Sequence, residues 1–114
     1  MKKQTAPLRT KTARLIIKEI NNHIKKNSTL VVVYENWYCG ITNNPDARKR
    51  VHKNKNNETP AFWKSFNARS VRIALALETY FHKKGMLDTD DKGGYDKNTS
   101  KYIYIYKKHP TIFD

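Results

Sequence analysis

The sequence predicts an α+β fold, in which a small three-stranded antiparallel sheet is flanked by helices, with an extra helix at the N-terminus. Three observations predict it. Apolar residues recur at helical spacing in separate segments, β-branched and aromatic runs supply three short strands, and the elements follow the order α-β-β-α-α-β. A chain of 114 residues suits one domain with a modest core. We expect a basic flexible arm at residues 1–9 and a single domain over residues 10–114.

The first predicted helix runs from about Thr12 to Lys26. Its apolar residues form one stripe at helical spacing: Ala13, Ile16, Ile17, Ile20 and Ile24. In the segment TLVVVYENWYCGIT, two β-branched and aromatic runs flank Glu35-Asn36, a pair that suits a two-residue turn. The segment therefore predicts a tight antiparallel hairpin of Thr29–Tyr34 with Trp37–Ile41.

Capping signals define the next two helices. Asn44 is the predicted N-cap of the second helix, which runs to about Lys53. The third covers roughly residues 68–84, with Asn67 as its cap and Gly85 as its stop. Its middle, IALAL, is apolar almost all round, which is typical of a core helix. The run KYIYIYKK predicts the closing strand, with its tyrosines on one face and its isoleucines on the other.

The chain is strongly basic, because 23 lysines and arginines against 10 aspartates and glutamates give a formal net charge of +13. A charge that large repels itself unless an anion offsets it, and nucleic acid, above all DNA, is the expected partner. The candidate nucleic-acid contacts are Lys49, Arg50, Lys53 and Lys64. An acidic protein, an anionic membrane surface and a merely solubilising surface remain as alternatives.

The number of cysteines and the length of the apolar runs indicate the cellular compartment of the protein. Cys39 is the single cysteine, so no intramolecular disulfide can form, which suits a reducing compartment. No apolar run approaches the roughly 20 residues needed to span a bilayer, and the N-terminus lacks an apolar signal core. We therefore expect an intracellular, cytoplasmic protein that does not enter a membrane.

The stretch WYCGITNNPDARKRVH carries the candidate site. Arg48 and His52 are four residues apart, so they lie on one face of the second helix. Tyr38 lies on the preceding strand, and Gly40 allows the backbone there to turn or to be approached closely. The planar guanidinium of arginine suits a phosphate. The stretch therefore gathers a phenol, a guanidinium and an imidazole.

Glu78 is the second candidate. It lies on the apolar stripe of the third helix, so its carboxylate is expected to be partly buried and to need a partner. The partner is either an arginine, Arg48 or Arg72, or a hard divalent cation such as Mg²⁺. By contrast, His23 and the other histidines outside the stretch have no convergent partner in the sequence and are expected at the surface.

These residues resemble a known family. Tyr-Cys-Gly at 38–40, then Thr-Asn-Asn-Pro, Arg48 ten residues after Tyr38, and His52 four further on, resemble the second half of the GIY-YIG nuclease signature. The resemblance covers about residues 29–107. It implies a small α/β domain with a three-stranded antiparallel sheet that cleaves DNA phosphodiesters.

The resemblance also implies site roles. Glu78 would hold the one divalent metal, Mg²⁺ or Mn²⁺, Arg48 would stabilise the phosphate charge, and Tyr38 would orient groups at the scissile site. The first Gly-Ile-Tyr motif of the family is not recognisable, and Tyr34, four residues before Tyr38, is the tyrosine available on the preceding strand. A tyrosine of the 102–106 row is the alternative to Tyr34 in space.

Three functions compete at this point. The first is a GIY-YIG-like endonuclease that hydrolyses DNA with a divalent metal. The second is a degenerate relative that binds nucleic acid without cutting it, which the missing motif and the charge favour. The third is a protein-interaction module whose basic face blocks a nucleic-acid binder. Because no second domain is recognisable, a protein partner or DNA shape would have to supply specificity.

Overall fold

The computed structural model describes residues 6–28, 32–56, 60–88 and 98–107. Helices and strands within these residues are numbered in chain order: α1 Lys11–Lys26, β1 Trp37–Thr42, α2 Pro45–Asn56, β2 Ala61–Asn67, α3 Val71–Lys83, β3 Leu87–Asp88 and β4 Tyr102–Lys107. Short 3-10 turns lie at Ala6–Arg9 and Tyr34–Asn36. The predicted α+β class is therefore confirmed.

The sheet differs from the prediction. It has four strands in the order β2-β4-β1-β3 and is mixed rather than antiparallel throughout. Strand β4 runs antiparallel to β2 and β1, whereas β3 runs parallel to β1. The three-stranded antiparallel sheet was wrong because β2 and β3 were not predicted as strands, and the predicted strand before β1 is not part of the sheet where the structure describes it. Strand β3 has only two residues, and β2 carries a register shift between Ala61 and Lys64 that blurs its alternation.

The predicted hairpin was also wrong where the structure describes it. Val32 and Val33 belong to no strand, and Tyr34–Asn36 forms a 3-10 turn instead of a two-residue hairpin turn. The first three residues of the predicted strand lie outside the described residues. Tyr38 and Cys39 already pair with β4 on one side and with β3 on the other. A preceding strand therefore has no open edge to join at this point.

The helices follow the predicted pattern with shifted ends. Helix α1 begins after Thr10, whose hydroxyl accepts a hydrogen bond from the Ala13 N–H. Helix α3 begins after Ser70 rather than Asn67, because the N–H of Ala68 still pairs with the Lys101 carbonyl beside the sheet. Among the described residues, no helix combines the length and the apolar character needed to cross a bilayer.

The sheet separates two layers. Strand residues alternate between its faces, and Cys39, Ile103 and Ile105 belong to the hydrophobic core, with apolar residues of α1 and α3. We call this side the core face. The other side, called the tyrosine face, carries Tyr104 and Tyr106 and lies against His52 of α2. The predicted division of the closing strand into a tyrosine row and an isoleucine row is confirmed.

Candidate functional site

His52 lies at the centre of the tyrosine face. It is 2% exposed, with Nε2 3.2 Å from the Tyr104 hydroxyl and Nδ1 3.4 Å from the Tyr106 hydroxyl. A neutral imidazole donates from one nitrogen and accepts at the other. One phenol therefore accepts a hydrogen bond from the ring while the other donates to it, which fixes the ring between two strand residues.

Four aromatic rings form a row beside this histidine. Trp63 stacks on Tyr104 with centroids 4.6 Å apart and planes inclined by 16°, and Tyr38 stacks on Tyr106 at 5.0 Å and 20°. The Tyr104 and Tyr106 rings are inclined by only 9°. We call these four residues the aromatic row. Its two central tyrosines are buried, whereas Tyr38 and Trp63 are half-buried and reach solvent.

Gly40 makes room for the row. It is paired with Tyr104 across the strands, and a Cβ atom on it would lie 2.5 Å from the Tyr104 hydroxyl oxygen and 2.7 Å from Cζ. Those distances are far below van der Waals contact, so the ring can cross the strand only above a residue without a side chain. The close approach that the sequence predicted at Gly40 is therefore the approach of the Tyr104 ring.

The irregularity in β2 directs two neighbouring aromatic residues to different packing sites. Phe62 has φ 54°, in the left-handed region, which costs about 1–3 kcal/mol for a residue with a side chain. Its ring lies 6.5 Å from Trp37 and 5.8 Å from Nζ of Lys107. Trp63 instead joins the aromatic row. Each ring therefore packs on the protein, and Trp63 stays partly open to solvent.

The predicted basic residues are unevenly placed. Arg48 is 5% exposed, one turn before His52, so its guanidinium is largely withdrawn from solvent. Lys49 is half-buried, and Arg50 and Lys53 are exposed on α2. Lys64 is also exposed, but it pairs with Ile105 and its Nζ lies 5.7 Å from the ring centroid of Phe66, so it belongs to the core face and not to the side of His52.

Glu78 belongs to a different group. One ligand atom each from Glu78, His82 and Asp88 lies within 4.8 Å of the others, so the three side chains could hold a metal ion. Burial raises the pKa of Glu78, the nearby Asp88 raises it further, and His82 opposes the change. His82 was predicted to be an unengaged surface residue, but its Nε2 lies 2.9 Å from the Cys39 carbonyl oxygen. The i, i+4 spacing of Glu78 and His82 was the available sequence signal.

Strand alternation separates the two groups. Tyr38 and Cys39 are successive residues of β1, so their side chains point to opposite faces. The Tyr38 ring stacks on Tyr106, on the side of His52. The Cys39 thiol is fully buried, and its pKa is raised by burial and by the charges of Glu78 and Asp88. The structure therefore brings Tyr38 and His52 together but places Glu78 across the sheet from them.

Tyr34 is also remote from His52. Its hydroxyl donates to Oδ1 of Asn21 at 2.8 Å, and its ring lies 6.4 Å from that of Phe81. These neighbours belong to the helices of the core face. The phenols that contact the His52 ring belong instead to Tyr104 and Tyr106 of β4. A tyrosine of the 102–106 row was the alternative to Tyr34 given by the sequence analysis.

His23 likewise departs from the expected surface position. Its Nε2 lies 2.8 Å from the Phe62 carbonyl oxygen, and its ring packs edge-on to Trp37 at 5.6 Å. Burial lowers its pKa, and the charges of Lys64 and Lys26 add to that effect, while the bond to Phe62 opposes it. The last histidine, at position 109, lies outside the described residues.

Comparison of the chain with family models, with curated proteins and with solved structures finds no match. The resemblance to GIY-YIG nucleases therefore rests on the residues of the signature alone, and the function has to be argued from the geometry.

Proposed function

We propose that this domain binds nucleic acid through the solvent side of α2 and the open ends of the aromatic row. The observation that carries the proposal is the concentration of exposed cations and half-buried aromatic rings on one side of the sheet. Arg50 and Lys53 project from α2, and Tyr38 and Trp63 reach solvent from the strands beneath it. The formal net charge of +13 on the chain also supports binding to a polyanion such as nucleic acid.

The two kinds of group have complementary roles. Exposed lysines and arginines neutralise phosphates and release counterions, which supplies affinity without sequence preference. A partly open ring such as Trp63 can stack on an unpaired base, which contributes about 1–3 kcal/mol per base. The buried cluster of His52 with Tyr104 and Tyr106 fixes the position of this surface, because it ties α2 to β4.

Endonuclease activity is the second candidate. The resemblance implies DNA hydrolysis with Mg²⁺ or Mn²⁺ at Glu78, and the observation in its favour is that Glu78 belongs to a group that could hold a metal. However, Glu78 lies across the sheet from His52, so an ion there is separated from a phosphate held beside α2. Binding without cleavage therefore accounts for the geometry better.

Salt-dependent binding tests the first proposal. We expect the full chain to bind fluorescent single-stranded and duplex oligonucleotides, with log K falling linearly against log salt concentration. Replacing Arg50 and Lys53 by alanine should reduce the slope on duplex by about 2, since each phosphate contact contributes about 0.9. Lys25 and Lys26, exposed at the end of α1, provide a matched control pair with the same loss of charge. Equal losses from both pairs, or a flat salt response, would contradict the proposed surface.

Plasmid cleavage separates the two candidates. We expect the wild-type chain to leave supercoiled DNA intact with Mg²⁺ and with Mn²⁺, at concentrations at which it binds. Nicking that requires the metal and is abolished by both Glu78→Ala and Arg48→Ala would establish the endonuclease instead. Absence of nucleic-acid binding, together with specific capture of an acidic protein, would favour the protein-interaction module.

A further inference from the structure

The outer side of α1 carries a basic depression, which lies outside the segment that resembles the nuclease family. Its volume is about 470 Å³, its lining is mainly apolar, and it is lined by four residues of this one helix: Lys11, Arg14, Leu15 and Lys18. They follow at i, i+3, i+4 and i+7, so they share one face over two helical turns. This face points away from the apolar stripe with which α1 packs on the core face.

Leu15 is the apolar centre of the depression. It is 53% exposed, the largest value among the exposed large hydrophobic residues of the described part of the chain. A single exposed leucine is ordinary on a protein surface, but three cations lie around this one. The apolar stems of their long side chains extend the apolar surface, while the charged groups stay in water. An apolar centre with a charged rim is typical of a protein-binding surface.

The depression presents positive charge that the described part of the chain does not neutralise. No described carboxylate forms an ion pair with Lys11, Arg14 or Lys18. Glu19, the only acidic residue of α1, is not among the lining residues. Nε of Arg14 donates to the Arg9 carbonyl oxygen at 3.2 Å, which positions the guanidinium and leaves its terminal nitrogens to meet a carboxylate.

We propose that this depression binds an acidic amphipathic segment of another protein. An apolar side chain of the segment packs on Leu15, and its carboxylates pair with the three surrounding cations. A second copy of the chain is unsuitable, because the net charge of +13 makes two copies repel each other. A lipid surface would receive no apolar helix face, since the apolar stripe of α1 is buried in the core. The four lining residues include no aromatic ring on which a base could stack.

The depression on α1 and the nucleic-acid surface on α2 lie on different sides of the sheet. Apolar residues of α1 pack on the core face, whereas His52 of α2 packs on the tyrosine face. A protein segment bound to α1 therefore leaves α2 accessible. Binding at α1 does not depend on nucleic-acid binding at α2, so the two can be tested separately.

Fluorescence anisotropy with two designed helical peptides tests the apolar centre. Both peptides carry glutamates at i, i+3 and i+7, and position i+4 is leucine in the first and serine in the second. We expect the full chain to bind the leucine peptide at least about fivefold more tightly, since burial of apolar groups adds to affinity. Leu15→Ala should remove most of this preference. Val51→Ala, at an exposed valine of α2, is the matched control and should keep it.

The same titration tests the charged rim. Replacing Lys11 and Lys18 together by alanine should weaken binding of the leucine peptide about fivefold at low salt, and less at high salt. Lys25 and Lys26 are exposed on the same helix beyond the depression, so their replacement removes the same charge. This control pair should change the affinity less than about twofold.

Four results would overturn the surface. They are no saturable binding of the leucine peptide below about 1 mM, equal affinity for the two peptides, equal losses from the two lysine pairs, and tighter binding to phosphatidylserine vesicles that Leu15→Ala abolishes. Leu15 is exposed and alanine favours a helix, so Leu15→Ala should fold, which circular dichroism checks. Unchanged oligonucleotide affinity in these variants would separate this surface from the proposed function, whereas its loss would assign the depression to nucleic acid instead.

Discussion

The two faces of β1 carry different chemistry on adjacent residues. Tyr38 belongs to the tyrosine face, where aromatic rings and a buried histidine are packed together. Cys39 belongs to the core face, where its thiol lies near the carboxylates of Glu78 and Asp88. The difference shows that consecutive residues of a sequence signature on one strand place their side chains on opposite sides of the sheet. Residues that resemble a single catalytic set in sequence are divided by the backbone itself.

The two faces also hold their histidines differently. His52 is buried and has a phenol at each ring nitrogen, so both partners are side chains from one strand. His82 is partly exposed, and a backbone carbonyl holds one of its nitrogens. The first arrangement holds the ring at both nitrogens, whereas the second holds it at one nitrogen, which also lies 4.0 Å from a carboxylate oxygen of Asp88. The tyrosine face should therefore be the more sensitive to substitution.

The largest effect is expected from Gly40→Ala, which tests how tightly the tyrosine face is packed. The added methyl group would lie 2.5 Å from the Tyr104 hydroxyl, and overpacking of this kind typically costs 1–3 kcal/mol. We expect the free energy of unfolding to fall by about 3 kcal/mol, measured by urea denaturation.

The matched experiment places Gly40→Ala in a Tyr104→Ala background. There the clash is gone, so the same change should cost less than about 1 kcal/mol, as a double-mutant cycle measures. Equal costs in the two backgrounds would mean that the Tyr104 ring does not lie over Gly40.

A smaller effect is expected from Tyr104→Phe, which tests the phenol–histidine contact. The change removes the hydroxyl that lies 3.2 Å from Nε2 of His52, and one hydrogen bond contributes about 0.5–1.5 kcal/mol. We expect a loss of about 1.5 kcal/mol in thermal unfolding. Tyr38→Phe, at the half-buried end of the aromatic row, removes a hydroxyl that has access to water and should change stability by less than about 0.5 kcal/mol. A reversed order would contradict the assignment of His52 as the packing centre.

The smallest effect is expected in the pH dependence of stability, to which His23 on the core side of the sheet contributes. Burial lowers the pKa of its imidazole in the folded chain from the usual 6.5. The unfolded chain then binds more protons between the lowered pKa and 6.5, so stability falls as the pH drops through that interval and is unaffected above it. His23→Gln should flatten this part of the curve of unfolding free energy against pH. Parallel curves for the two proteins below pH 6.5 would refute the assignment.

Local pattern was sufficient for part of the fold. The isoleucine stripe of α1 is confirmed because a 3.6-residue repeat depends only on the helix itself. The alternation of Tyr104 with Ile105 is confirmed for the same kind of reason, as each strand residue turns to the opposite face. The hairpin failed because pairing depends on which strands are neighbours, and Tyr38 is paired with β3 and β4 instead.

The sequence by itself determined the helical stripes, the alternation of the closing strand and the basic charge, because each follows from spacing or composition. The need for glycine at position 40 comes instead from the Tyr104 ring of another strand. Tertiary structure alone decided that Tyr104 and Tyr106 meet His52, and that Glu78 joins His82 and Asp88 on the other side of the sheet. Those contacts join residues distant along the chain. They are set by the order of the strands and by the face to which each side chain turns, which no local pattern specifies.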